Sequence, residues 1–368
     1  MSGDLSWMTM TIPASIVIVM SVIYYVTPTR TRRDIYFAVT VDPAFPKTAE
    51  AKRILTDYHA QVGAHTLIAI AFSIFVRNGP IALLLAPFWL IGGATVAFLL
   101  ARRKVLPHAA KPEAIREASL APGDERLPGG WLAQLVPFIV LGGAAVYLHL
   151  HWGQIPPRFP IHWDLHGDPN GWSTRTLGGV YFPLGLGAGA CGTLVVLALL
   201  ILHRSPRLHA TGTMARSEGR FRHVNLWILL ATEFFIASVF SWVSLLPLRA
   251  RPMAGPAASS FFVIVVALAL VMGTTAVFAR IGQGGTRIEA AAGQRIAEVP
   301  KPVGDGTADR FWKGGLFYFN RDDPAFLVEK RFGFGYSVNF AHPVAWLILG
   351  GLLALPFLIP YLVKTFVH

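Results

Sequence analysis

Apolar runs of membrane-crossing length interrupt the chain at roughly residues 8–27, 60–76, 80–101, 131–150, 177–202, 224–247, 258–279 and 343–363. A hydrocarbon core about 30 Å thick is crossed by ~20 apolar residues in a helix. Lipid offers backbone N–H and C=O groups no partner, so runs of this kind must close their hydrogen bonds internally. Eight spans and their connections consume all 368 residues, and the expectation is one polytopic membrane domain over 1–368. Composition agrees, with 54% apolar and only 14% charged residues against about a quarter charged in soluble domains. Mean hydropathy is +0.51. The fold class expected is an all-α integral membrane protein of about eight helices, with a small cytoplasmic β element and a structured extracytoplasmic loop.

The run at 60–76 is the weakest, being short and containing His65, and it meets the next run at the turn Arg77-Asn78-Gly79-Pro80. Charge supplies an independent check, because Lys and Arg are retained in cytoplasmic loops. From the N-terminus the segments outside the runs carry 0, 6, 1, 6, 2, 5, 2, 9 and 1 Lys plus Arg. Alternate segments therefore hold 26 against 6 of the 32 basic residues, which predicts both termini extracytoplasmic. The loops 28–59 and 280–342 become cytoplasmic and 151–176 extracytoplasmic. Without the weak span this alternation collapses. The formal charge of +12 thus reads as topology, and no clustered basic face with stacking aromatics suggests nucleic acid.

The first run lacks a basic leader and is followed by Arg30, Arg32 and Arg33, so a retained anchor is expected in preference to a cleaved signal. Gly185 and Gly189 have the small-xxx-small spacing that lets helices approach closely, and Gly92-Gly93, Gly142-Gly143 and Gly350-Gly351 offer further contact points. Pro87, Pro137 and Pro183 fall within or near spans. The single cysteine, Cys191, excludes an intramolecular disulfide and reads as a packed small residue.

The outer segment HLHWGQIPPRFPIHWDLHGDPNGWSTRT, from His149 to Thr176, is the densest in functional residue types. Pro156, Pro157 and Pro160 force extension. His162, Asp164 and His166 then alternate with Ile161, Trp163 and Leu165, placing the polar three on one strand face. Gly167 to Gly171 reads as a turn. Two imidazoles and a carboxylate on one face suit zinc or a similar divalent ion, which would activate water. The bland alternative is that they hydrogen-bond the turn while Trp163 and Trp172 sit in the interfacial belt. No other cofactor is expected.

Both long cytoplasmic loops contain strand-like alternation. Ile35, Phe37 and Val39 share a face in the first loop. Phe332, Phe334, Tyr336, Val338 and Phe340 share one in the second, separated by Gly333 and Gly335. Asn320, Asp322, Asp323 and Pro324 supply a turn. The expected product is a small sheet or hairpin pressed on the helix ends, or alternatively a docking surface for a cytoplasmic protein partner. One carboxylate, Glu233, lies ~9 residues or ~14 Å into its span; such a group must face the bundle interior, and intramembrane carboxylates often mark ion or proton paths. His65 reads as interfacial.

At the outer segment the chain resembles the SdpI-like family of bacterial multi-pass membrane proteins, whose founding member is an immunity and signalling protein against a secreted toxin. Pro160, His162, Trp163, Asp164, Gly167 and Trp172 carry the likeness. Two further segments resemble regions found beside it in relatives: Thr31–Val41, with Arg33, Asp34 and Phe37, and Phe317–Phe340, with Asn320, Asp323, Pro324, Gly335 and Asn339. Together these cover about a fifth of the chain. His166 departs from the family pattern. The resemblance implies a bacterial cytoplasmic membrane location. It also implies an outer loop that meets a peptide or toxin ligand, with lipid and a cytoplasmic protein as further partners. Two other classes stay open: a transporter or channel-like protein using Glu233, and a metal-dependent hydrolase centred on His162, Asp164 and His166. The absence of HExxH, GxSxG and P-loop patterns places the enzyme reading last.

Overall fold

A computed structural model describes residues 6–32, 34–76, 79–111, 126–163, 169–204, 212–248, 255–285 and 304–366. Every apolar run is a helix: α1 Ser6–Val26, α2 Ala49–Phe75, α3 Gly79–Val105, α4 Gly130–Leu150, α5 Leu177–Arg204, α6 Gly212–Leu245, α7 Gly255–Ile281 and α8 Pro343–Phe366. Two of them begin about three turns before their apolar run. The first half of α2 and the start of α6 are helical but polar, so hydropathy carries no signal for them. Thr48 caps α2, its hydroxyl accepting from the Ala51 N–H at 3.2 Å.

Six segments are long and apolar enough to cross a membrane: Met10–Thr29, Gly79–His108, Gly130–Leu150, Leu177–His203, Glu218–Leu248 and Phe262–Gly285. Their outward surfaces expose large apolar side chains, among them Leu84, Phe88, Leu132, Ile139 and Phe262. Water would not tolerate a face of that extent and lipid does. The protein is therefore a multi-pass membrane protein.

Packing between helices rests on small residues, as lipid-embedded bundles require. Ala82, Ala86, Ala94, Ala97 and Ala101 form a buried stripe on α3. The expected glycine contacts are only partly met. A Cβ at Gly93 would sit 2.3 Å from the His65 ring, and one at Gly187 would meet Phe240 and Leu141. Gly92, Gly142, Gly143, Gly185, Gly189, Gly350 and Gly351 have open space around them among the described residues. The close approach at α5 is thus made by Gly187, between the two glycines whose spacing suggested it. His65 is half-buried and packed on Gly93 and Trp89.

Four two-stranded antiparallel ladders complete the fold: β1 Ile35–Tyr36 with β2 Val39–Thr40, β3 Arg158–Trp163 with β4 Pro169–Thr174, β5 Trp312–Lys313 with β6 Phe317–Tyr318, and β7 Leu327–Glu329 with β8 Tyr336–Val338. Three form a layer at one end of the bundle and β3–β4 stands at the other. Each helix has one end in the three-ladder layer. The C-terminus of α1 meets it through Arg32 and Gly304, and the start of α2 through Tyr36 and Ala51. The end of α3 joins it by the bridge between Val41 and Ala109. Leu127 before α4, Ile201 of α5, Leu226 of α6 and Leu327 of β7 share one cluster. Phe278 at the end of α7 stacks on Phe334, and α8 starts directly from the layer, the Trp346 indole donating to the Phe340 carbonyl. C-terminal and N-terminal ends alternate strictly from α1 to α8.

Candidate functional site

The three-ladder layer is built around a buried arginine. Arg331, fully buried, donates from Nε and Nη2 to the two carboxylate oxygens of Asp305 at 2.9 and 2.8 Å and from Nη1 to Asp309. Its guanidinium also reaches the Thr307 and Ala38 carbonyls and lies over the Trp312 ring. Asp309 in turn accepts from the Thr40 N–H and, at 2.7 Å, from its hydroxyl. One side chain therefore ties β2, the 305–312 segment and the end of β7 together. Burial alone would raise the Asp305 pKa. The Arg331 charge and hydrogen bonds, helped by Thr307 and Arg32, overcome it and hold this carboxyl well below the usual carboxylate range.

The segment around Phe37 is a tight hairpin instead of the expected continuous strand. Its turn residues, Phe37 and Ala38, have φ of 46° and 59°, a left-handed conformation usually left to Asn and Gly. The strain persists because the surroundings determine it. The Phe37 ring packs edge-on against Tyr58, with centroids 5.1 Å apart, and Arg102 donates to the Phe37 and Ala38 carbonyls. Asp34 accepts from the Gly304 N–H at 2.7 Å and pairs with Arg32. Arg33 lies outside the described residues.

The 332–340 run is likewise a turn followed by the short strand β8, and its aromatics do not share one face. Gly333 and Gly335, with φ of 98° and 86°, let successive rings enter different helix pairs. Phe332 packs on Phe98 of α3, Phe334 on Phe278 of α7 and Tyr336 on Phe221 of α6. Gln283, just after α7, fixes this turn: its amide oxygen accepts from the Gly335 N–H at 3.1 Å and its nitrogen donates to the Gly335 carbonyl at 2.8 Å. Asn339 binds the 320–323 turn through the Asn320 and Asp323 carbonyls and the Asn320 N–H. The Tyr318 hydroxyl donates to Asp323 at 2.8 Å. Pro324 is exposed beside this turn. Apart from Pro324 and Arg33, the residues of these two loops that carried the resemblance are held within the layer and make its turns.

The other end is built differently. Phe159 of β3 joins Leu148 of α4, Val180 of α5 and Ile155 in one buried cluster, with Phe240, Leu245 and Leu248 packed against it. Arg175 braces the connection, its Nη1 donating to the Ile155 carbonyl at 2.9 Å. Thr176 caps α5 by accepting from the Gly179 N–H at 3.0 Å. Gly179 is obligatory, because a Cβ there would lie 2.2 Å from the Thr174 carbonyl oxygen. The Arg158 guanidinium lies 4.9 Å over the half-exposed Trp172 ring.

Two points of the sequence reading change at this hairpin. Pro169, Asn170 and Gly171 belong to β4 and not to the turn. The register shifts on both sides of His162, which stands opposite Gly171, and such bulges break strict alternation. Asp164, His166 and Gly167 lie outside the described residues, as do the side chains of His162 and Trp163. Among the described residues no three His, Cys, Asp or Glu side chains converge as metal ligands. Within the bundle Glu233 is fully buried, on the α6 face turned toward α5, where the Cys191 thiol donates to its backbone carbonyl at 3.5 Å.

Residues 139–187, covering most of α4, the β3–β4 hairpin and the start of α5, match a domain of unknown function, DUF1648. Residues 321–346, from the 320–323 turn through β8 into α8, match a family of unknown function, DUF5808. Neither description is specific to SdpI-like proteins. No curated protein and no solved structure matches the chain.

Arg331, Asp305, Asp309, Arg102 and Gln283 escaped the sequence reading. Their partners lie far away in sequence, and a lone Arg in a basic loop reads as topology.

Proposed function

We propose that the protein is an SdpI-like sensing, signalling or immunity protein of the bacterial cytoplasmic membrane. In this reading it has eight spans, with both termini and the β3–β4 hairpin outside and the three-ladder layer in the cytoplasm. The alternation of helix ends supports eight spans. With α1 and α3 both ending at the layer, an out-and-back pair of α2 and α3 fits this reading, although only six helices are long and apolar enough to cross by themselves among the described residues. The hairpin offers Arg158, Trp172 and the His162 turn to a peptide or peptide toxin, and the layer, with exposed Arg310, Lys313, Arg321 and Pro324, faces a cytoplasmic protein.

One observation carries this reading. At 34 residues, or about 51 Å, α6 touches both ends: Phe240 and Leu245 lie under the hairpin, while Phe221 and Leu226 lie under Tyr336 and Leu327. A tilt imposed at the hairpin must reach the layer through one rigid helix.

The test is hydrogen exchange on the protein in nanodiscs, comparing wild type with Arg158→Ala/Trp172→Ala. Coupling predicts altered exchange at the β7 and β8 amides with the fold retained. Identical exchange in the layer would contradict it.

A further inference from the structure

Both Glu233 carboxylate oxygens lack a hydrogen-bond partner among the described residues, although the side chain is fully buried. Gln134 of α4 is in the same condition, 2% exposed with its amide oxygen unpartnered. The two stand at the same depth. Leu141 of α4 and Phe240 of α6 both close on the position of Gly187. The two helices run parallel, since the C-terminal parts of both share the hairpin's cluster. Seven residues back from each, about two turns on the same face, lie Gln134 and Glu233.

No counter-charge faces this level. Among the described residues α4 brings Tyr147 and His149, both near its outer end, and α5 brings Tyr181, Cys191 and His203. The nearest titratable group on α7 is Arg280 at its cytoplasmic end, and α6 itself carries Glu218, Arg220, Arg222 and His223 in its first turns. The side chains of Arg204, and of Tyr361 and Lys364 on α8, lie outside the described residues. Only Cys191 is within a turn of Glu233. An ionised carboxylate without a partner is not stable in such surroundings, so the group takes up a proton. An amide suits both states, since its oxygen accepts from the neutral acid and its nitrogen donates to the carboxylate. One amide and one thiol are too few oxygen donors for a metal cation.

A buried polar stripe on the same side of α6 starts at its layer end and, with buried Leu226 and Leu230 between, stops about two turns short of Glu233. Glu218, Arg222, Asn225 and Glu233 are all buried, and their spacings of four, three and eight residues keep them on one side of α6. Asn225 lies directly under Gly335 of the layer. We propose that Glu233 is the proton-binding carboxyl of an intramembrane site walled by α4, α5 and α6, with Gln134 as its positioning residue, filled and emptied from the cytoplasmic face along α6.

A lipid-soluble carbodiimide tests this, because it adds as a whole to a protonated carboxyl and leaves a stable N-acylurea there. With full-length protein in sealed vesicles of known orientation, the expected adduct maps to the α6 peptide and is absent in Glu233→Gln. Its yield should fall as pH rises, following the pH of the cytoplasmic side only. Gln134→Leu should change the pH dependence of the yield, since the carboxyl loses its amide neighbour. Three outcomes would overturn the proposal: no adduct at Glu233 in folded wild type, a yield indifferent to pH, or a yield that follows the outer pH. Wild-type labelling alone decides the first if a variant fails to fold.

Discussion

The two ends of the bundle carry the same kind of element, short antiparallel hairpins, and hold them by opposite means. At the three-ladder layer the central fastening is polar and buried: Arg331 reaches Asp305, Asp309 and the Ala38 carbonyl, the last 293 residues away in sequence. At the β3–β4 hairpin the fastening is an apolar cluster, Phe159 among Leu148, Ile155 and Val180 with Phe240 and Leu248 against it, and the polar contacts are short-range, Arg175 bonding to carbonyls 20 to 23 residues before it. Buried charge networks fail as a unit when one member is removed, whereas local contacts loosen one at a time. The layer is therefore expected to resist loosening as a unit and the hairpin to yield piecemeal.

Removing the hub should have the largest effect. Arg331→Met leaves buried Asp305 and half-buried Asp309 without the Arg331 charge, a loss of about 3–5 kcal/mol. It is expected as a strongly lowered melting temperature in detergent together with wholesale exchange of β1–β2 and β5–β8 amides. Loss of protection confined to β7 would break the comparison.

Acid should reproduce part of this. The Asp305 carboxyl is held below its unfolded value, so its contribution is fully present above the unfolded pKa of about 3.9 and disappears as pH falls through the lower folded value. The melting temperature of the layer, followed by Trp312 fluorescence, should be level from about pH 7 to about pH 5 and drop only below about pH 4. A midpoint near pH 6 would point to histidine and away from Asp305.

The smallest effect belongs to the hairpin. Arg175→Ala removes partly exposed backbone contacts worth about 1 kcal/mol, so exchange should rise at β3 and β4 while the three-ladder layer keeps its protection. A collapse of the whole protein would show that the outer end is as unitary as the inner one.

These differences also explain what could be read from the chain. All eight apolar runs were legible as helices because continuous hydropathy marks a helix of that length, and six of them are long and apolar enough to cross a membrane among the described residues. The polar starts of α2 and α6 were not, since a polar helix carries no such mark. In the layer the elements were legible and their shapes were not. Phe37-Ala38 lacks the Asn or Gly that announces a two-residue turn. Alternation in FGFGY was read as a strand, whereas the glycines serve to send three rings into three helices. Glu233 was found from sequence because a carboxylate is conspicuous inside a span, while Gln134, uncharged, drew no notice until the helices placed it at the same depth.

The central claim is that the two kinds of hairpin face opposite sides of the membrane. The most direct measurement places single cysteines, in a Cys191→Ala background, at the exposed positions Thr174 beside the outer hairpin and Lys313 in the layer, and treats intact cells with an impermeant maleimide. Thr174→Cys should label without permeabilisation and Lys313→Cys only after it. Labelling of both from the same side, or of Lys313→Cys alone in intact cells, would contradict the account.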